Sequence, residues 1–126
     1  MRQRSCVCGA VIFQVAGAVQ ALDACHCPDC CKQSGHFFTS TGVPLGALTI
    51  RGEELVTWYA SSEKVKLGFC ATCGSTLFWN PFENDWAAIA MVSFDTPTDT
   101  NLGKHIFGAD KVDHYEIVDG LLQNQQ

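Results

Sequence analysis

The stretch Cys25-His26-Cys27-Pro28-Asp29-Cys30-Cys31 concentrates four of the chain's eight cysteines in one short loop. Sulfurs held this close suit a disulfide framework, a closed structural metal site, or a metal site with one position left open for chemistry. Chain length bears on the first choice. With 126 residues and 47% hydrophobic content, the chain can bury an apolar core and does not need stapling to fold. No apolar run follows the basic residues at Met1–Cys6, and no segment approaches the roughly 20 apolar residues of a membrane span. The expectation is a cytoplasmic protein whose thiols stay reduced, and metal binding becomes the leading reading of the cysteines.

Charge narrows the partners. A formal net charge of -5 and a pI near 5.1 argue against a phosphate-backbone binder, whose affinity comes from clustered Lys and Arg. Neither nucleic acid nor a membrane is therefore expected as a partner, and the oligomeric state is left open.

The hydrophobic pattern is that of short strands. Val65, Leu67 and Phe69 alternate with Lys64, Lys66 and Gly68, and Val11, Phe13 and Val15 alternate with Ile12 and Gln14. Further strands are expected over Ala21–Cys25, His36–Thr41, Leu48–Arg51, Leu55–Ala60, Thr76–Trp79 and Ala87–Phe94. Turn signals separate them, among them Gly9, Gly42-Val43-Pro44, Gly52, Gly74, Asn80-Pro81 and Thr96-Pro97. No window carries a helical stripe of ten or more residues, so helix is expected only as a turn after Cys27 and another near Gly103. The result is an all-β fold with little helix, residues 1–126 forming a single zinc-binding domain.

Two cysteine clusters follow from the spacing. "CVCG" at residues 6–9 and "CATCG" at 70–74 both end in Cys-Gly at a strand boundary, where a tight turn favours a residue without Cβ. Cys6, Cys8, Cys70 and Cys73 together supply the four soft ligands of a closed structural zinc, the plainer alternative being four small buried hydrophobes. Cys25, Cys27 and Cys30 can cap one face of a second zinc and leave its fourth position open. Cys31 is poorly phased to complete that set, and its role stays open. His26, between two ligands in an extended segment, is expected to point away from the metal and to be packed or hydrogen-bonded behind it.

An open zinc on three thiolates is a good host for a further thiolate, so an arriving thiol would lose its proton and be held as an oriented nucleophile. The chemistry implied is the making or breaking of a carbon–sulfur bond. Pro28, Asp29, Gln33, Ser34 and Gly35 border the loop and could supply hydrogen bonds, although turn and capping roles account for them equally well.

The segments "CVCGAVIFQV", "CHCPDCCKQSG", "FCATCGSTLFW" and "HIFGADKVDHYEI", in this order and spacing, resemble the glutathione-dependent formaldehyde-activating enzyme family, which includes centromere protein V. The resemblance runs from about Cys6 to about Gly120. It implies a small zinc-containing β-tent fold, a structural zinc on Cys6, Cys8, Cys70 and Cys73, and a catalytic zinc on Cys25, Cys27 and Cys30. It also implies a carbon–sulfur lyase, like S-hydroxymethylglutathione synthase, that joins glutathione to formaldehyde. Cys31 stands where many relatives have a basic residue, and His114-Tyr115 where a tryptophan is common.

Other residues admit a plain reading beside a functional one. His105 fits a satisfied, half-buried histidine, and Trp58, Tyr59, Phe78, Trp79 and Trp86 fit core positions rather than a pocket floor. Glu83, Asn84 and Asp85 read as a solvated loop. Lys64 and Lys66 could meet glutathione's carboxylates but fit an ordinary wet strand face. The alternative to an enzyme is a non-catalytic, zinc-stabilised module that binds a protein partner.

Overall fold

The computed structural model describes residues 2–94 and 97–126, with the side chains of residues 2 and 3 left aside. Thr96, of the expected Thr96-Pro97 turn, lies outside them. Strands dominate, as the alternation predicts, and among the described residues there is one α-helix. The order is β1 (Arg2–Ser5), β2 (Ile12–Val15), β3 (Leu22–Cys25), α1 (Pro28–Ser34), β4 (Phe38–Pro44), β5 (Leu48–Arg51) and β6 (Val56–Ala60). There follow β7 (Val65–Cys70), β8 (Thr76–Pro81), β9 (Trp86–Ala90), β10 (Leu102–Ile106) and β11 (Leu122–Gln123).

Two sheets result. A small antiparallel sheet has the order β1-β2-β5, and a larger one runs β11-β10-β3-β4-β9-β8-β7-β6. Phe13 and Val15 of β2 are buried while Ile12 and Gln14 are only partly so, which gives the small sheet one inward face. That face meets Leu77, Phe78 and Ile89 of the larger sheet, and the Phe13 ring stands edge-on to Phe78 at 5.2 Å between centroids, the geometry that ring quadrupoles favour. Phe94 closes the cluster, and its bridge to Arg4 joins the end of the large sheet to β1.

A second, smaller apolar cluster comprises Cys25, Cys30, Phe38 and Ala90, with Cys27, Trp79 and Ile106 packed against it. It sits where β3 ends and α1 begins, and it is the part of the fold that positions the thiols.

Three local expectations need correction. The helical turn near Gly103 is instead strand β10, which pairs in parallel with β3 through the register His105↔Ala24 and Ile106↔Cys25. The strand expected over Ala87–Phe94 stops at Ala90 and continues as a 3₁₀ turn, Met91–Ser93. The turn expected at Gly42-Val43-Pro44 is instead the end of strand β4, paired with β9 through Gly42↔Ala88, Val43↔Ala87 and Pro44↔Trp86. No described helix is long and apolar enough to cross a membrane.

Candidate metal centre

The turns carrying the first cluster are built alike. Gly9 donates its N–H to the Cys6 carbonyl at 3.1 Å and Gly74 to that of Cys70 at 2.8 Å, each glycine with φ near +80°, where a Cβ would be strained. Each chain reversal gathers its two cysteines. The turns are tied together by Ser75, whose hydroxyl accepts the Val7 N–H at 2.9 Å and lies 3.2 Å from the Cys73 sulfur. That hydroxyl and the Ser75 backbone hold the Cys73 thiol down to about 5.

All four sulfurs lie within 4.8 Å of one another. Cys6 Sγ is 3.6 Å from Cys8 Sγ, and Cys8 Sγ is 3.8 Å from Cys70 Sγ. A tetrahedral ion with bonds of about 2.3 Å to sulfur sets its ligands about 3.8 Å apart, so the spacing fits a closed thiolate site.

In the second cluster, Cys25 ends β3, Cys27 caps the N-terminus of α1, and Cys30 lies in its first turn. The helix starts here because Pro28 occupies a position that needs no N–H, and the Cys27 sulfur accepts the Cys30 N–H at 3.4 Å. One turn of helix then swings Cys30 back beside Cys25, bringing the three sulfurs within 4.8 Å of one another. Their protonation is frustrated. Hydrogen bonds from the Cys25 and Cys30 thiols hold Cys27 down to about 2, whereas Cys25 pushes Cys30 far above the usual thiol range. One thiolate held by two thiols is what a three-sulfur site offers before a cation lets all three ionise.

Among the described residues, no fourth Cys, His, Asp or Glu joins this trio. The Cys31 sulfur turns to the back of the loop, 3.5 Å from the His26 carbonyl. In front of the trio opens a cleft of about 830 Å³ to which Cys25, Cys27 and Cys30 contribute. Trp79 and Trp86 line it and do not belong to the main core, and Tyr59 is 63% exposed, which corrects the core reading for these three, whereas Phe78 is buried and Trp58 stacks on it. Lys66 lies over the Trp58 ring at 4.4 Å, away from the cleft; Lys104, not singled out in the sequence, lines it. Asp29 also lines the cleft. Ser34 instead donates to the Cys30 carbonyl, and Gly35 caps α1 in the left-handed region.

Behind the loop, His26 is fully buried and points away from the sulfurs, as strand alternation predicts. Its Nε2 lies 2.9 Å from His105 Nδ1, its Nδ1 lies 2.9 Å from the Tyr115 hydroxyl, and His105 Nε2 lies 2.8 Å from Asp119. The His105 hydrogen bond keeps the Asp119 carboxyl below its usual range, and burial together with His105 holds His26 low and neutral. An ionised Asp119 accepts from His105 Nε2–H, and with one hydrogen on each imidazole ring the donors run one way: Tyr115 to His26, His26 to His105, His105 to Asp119. The chain of bonds pins the carboxy-terminal segment to β3 and holds the Cys25–Cys27 backbone from the rear. Asp119 carried no signal in the sequence, and Tyr115 stood out only as part of the His114-Tyr115 pair that replaces a common tryptophan; their partners lie 14 and 89 positions away.

Comparisons with known proteins agree with this architecture. The family model of the glutathione-dependent formaldehyde-activating enzyme matches residues 1–110. A Schizosaccharomyces pombe protein named as an uncharacterized lyase is 31% identical over 103 residues, covering 72% of each chain. A crystal structure of a Rhodobacter sphaeroides protein superposes with a TM-score of 0.64 at 24% identity, covering 79% of this chain and 98% of the other, a likeness of fold. The chain belongs to the glutathione-dependent formaldehyde-activating enzyme family.

Proposed function

We propose that the protein is a zinc-dependent, carbon–sulfur lyase-type enzyme acting on a small thiol adduct. S-hydroxymethylglutathione is the adduct to which the family's name points. In this reading Cys6, Cys8, Cys70 and Cys73 hold a structural zinc, and Cys25, Cys27 and Cys30 hold a catalytic one. A zinc bound by the trio supplies a position at which a substrate thiol can ionise at neutral pH.

The protein's own residues do the rest. The loop behind Cys25–Cys27 is held rigid by His26, His105, Tyr115 and Asp119, which keeps the trio in one geometry. Walls of the cleft orient the thiol's body so that its sulfur faces a carbonyl carbon entering from the open side. In the synthetic direction the sulfur–carbon bond forms as the carbonyl π bond opens, and the thiol's proton ends on the new hydroxyl; the lyase direction reverses both.

The observation that carries this reading is a three-sulfur set, with no fourth ligand among the described residues, at the wall of a cleft. The test follows adduct formation from formaldehyde and a panel of thiols by NMR, with metal-loaded protein and its Cys27→Ser variant. Acceleration by the loaded wild type, abolished in Cys27→Ser, is the expected result. Silence across the panel with two metals bound would instead favour the interaction-module reading.

A further inference from the structure

The cleft's walls are of a different chemistry from glutathione, which carries two carboxylates and one ammonium. Among the described lining residues other than cysteine, the charged ones are Lys104, Asp23 and Asp29. That is one cation against two anions, the inverse of what glutathione would need. Lys104 also stands opposite Asp23 in the β10–β3 ladder, so a carboxylate of the protein neighbours it. A zinc on three thiolates leaves the site itself negative, so an approaching dicarboxylate meets repulsion from the centre and little attraction from the walls.

Neutral polar groups of Gln20, Ser40, Ser61 and Ser62 line part of the remainder, and apolar surface fills the rest. Phe38, Trp79, Trp86, Ile106 and Phe107 line the cleft, and the indoles of Trp79 and Trp86 lie 5.6 Å apart at 34°. Trp86 rests on the bare face of Gly42, 3.6 Å from where a Cβ would stand, and keeps 38% of its surface exposed. Phe107 is also 38% exposed and takes φ of +53°, a backbone conformation that phenylalanine rarely adopts. Partly exposed aromatic rings gathered on the wall of one cleft are the apolar surface that ligand grooves present. At about 830 Å³ the cleft is far larger than a formaldehyde adduct of a small thiol requires.

We infer that the cleft takes thiol adducts whose body is a ring or comparable apolar group of neutral or positive net charge, seated on Trp86 and Phe107, in preference to glutathione. The inference rests on the open three-sulfur reading and names its substrate class. Trp86 and Phe107 are then specificity-determining residues that touch the thiol's body.

The test uses protein loaded with cobalt, whose visible absorption reports a sulfur arriving at the metal. It is titrated with phenylethanethiol, mercaptoethylamine and glutathione, and tryptophan fluorescence is followed in parallel. Phenylethanethiol should saturate at a concentration about tenfold or more below glutathione, in keeping with the burial of one ring on an aromatic wall. Trp86→Ala should erase that advantage and leave mercaptoethylamine unmoved. Phe107→Gly, which removes a ring while relieving the backbone, should act in the same direction and keeps the test alive if Trp86→Ala fails to fold. Glutathione saturating first, or all three thiols weakened by one common factor, overturns the substrate class while leaving the open site intact. A cobalt spectrum that no thiol changes overturns the open site itself, and this inference with it.

Discussion

Replacing His105 with alanine tests the support behind the thiol loop. His105 is 2% exposed and uses both ring nitrogens, accepting from His26 and donating to Asp119. Its removal leaves the His26 Nε2–H without its partner in a fully buried position, a cost of about 1–3 kcal/mol. The vacated ring volume adds about 2 kcal/mol on the scale of large-to-small substitutions. The total is roughly 3–5 kcal/mol. An unfolding entropy of about 2.1 cal/mol/K per residue over 126 residues converts this to a fall of roughly 11–19 °C in melting temperature. Circular dichroism melts of metal-loaded wild type and His105→Ala measure it, with Asp119→Asn as the comparator. Asp119 is 40% exposed, so its loss should lower the melt much less. A fall of under about 4 °C for His105→Ala, or equal falls for both variants, would refute the claim that the buried histidine pair holds the loop.

Further expectations concern the turns, the acid range and the metals. Gly52 has φ of +81°, and an added Cβ would stand 2.2 Å from the Ala10 carbonyl oxygen, so Gly52→Ala should cost more than about 2 kcal/mol in a denaturant melt. Because His105 lowers the Asp119 carboxyl, the stability it contributes is present above the ordinary carboxyl range and is lost as pH falls through the lowered value. The melting difference between wild type and Asp119→Asn should therefore be constant at neutral pH and shrink below about pH 4, acid loss of metal being common to both. Elemental analysis should give two zincs per chain in the wild type and one in a still-folded Cys27→Ser, while Cys73→Ser should fail to fold. Cys31→Ser, whose sulfur faces the His26 carbonyl, should leave the metal content unchanged.

Which parts of the molecule could be read in advance depended on whether the signal was local. Val65, Leu67 and Phe69 declare β7 through their own alternation, and paired cysteines beside Gly9 and Gly74 announce tight turns. Strand β10 is different: Gly103, Lys104 and His105 have no strand preference, and parallel pairing with β3 imposes the conformation from outside. The division of the aromatics was equally hidden. Phe78 and Trp79 are neighbours on one strand, so alternation sends them to opposite faces, but only the packing of Phe13 on one face and Trp86 on the other makes the first the core and the second the cleft. His26 could be turned away from the sulfurs by alternation alone, but Tyr115 and Asp119 reach the histidine pair only after the chain has crossed both β3 and β10.

The proposed chemistry requires that the second cation be left with a free corner. Diffraction from zinc-loaded crystals at wavelengths either side of the zinc edge measures this directly. It should show two anomalous peaks, one enclosed by Cys6, Cys8, Cys70 and Cys73, the other bonded to Cys25, Cys27 and Cys30 with its remaining position turned to the cleft. A single peak, or a fourth protein atom bonded to the second, would contradict it.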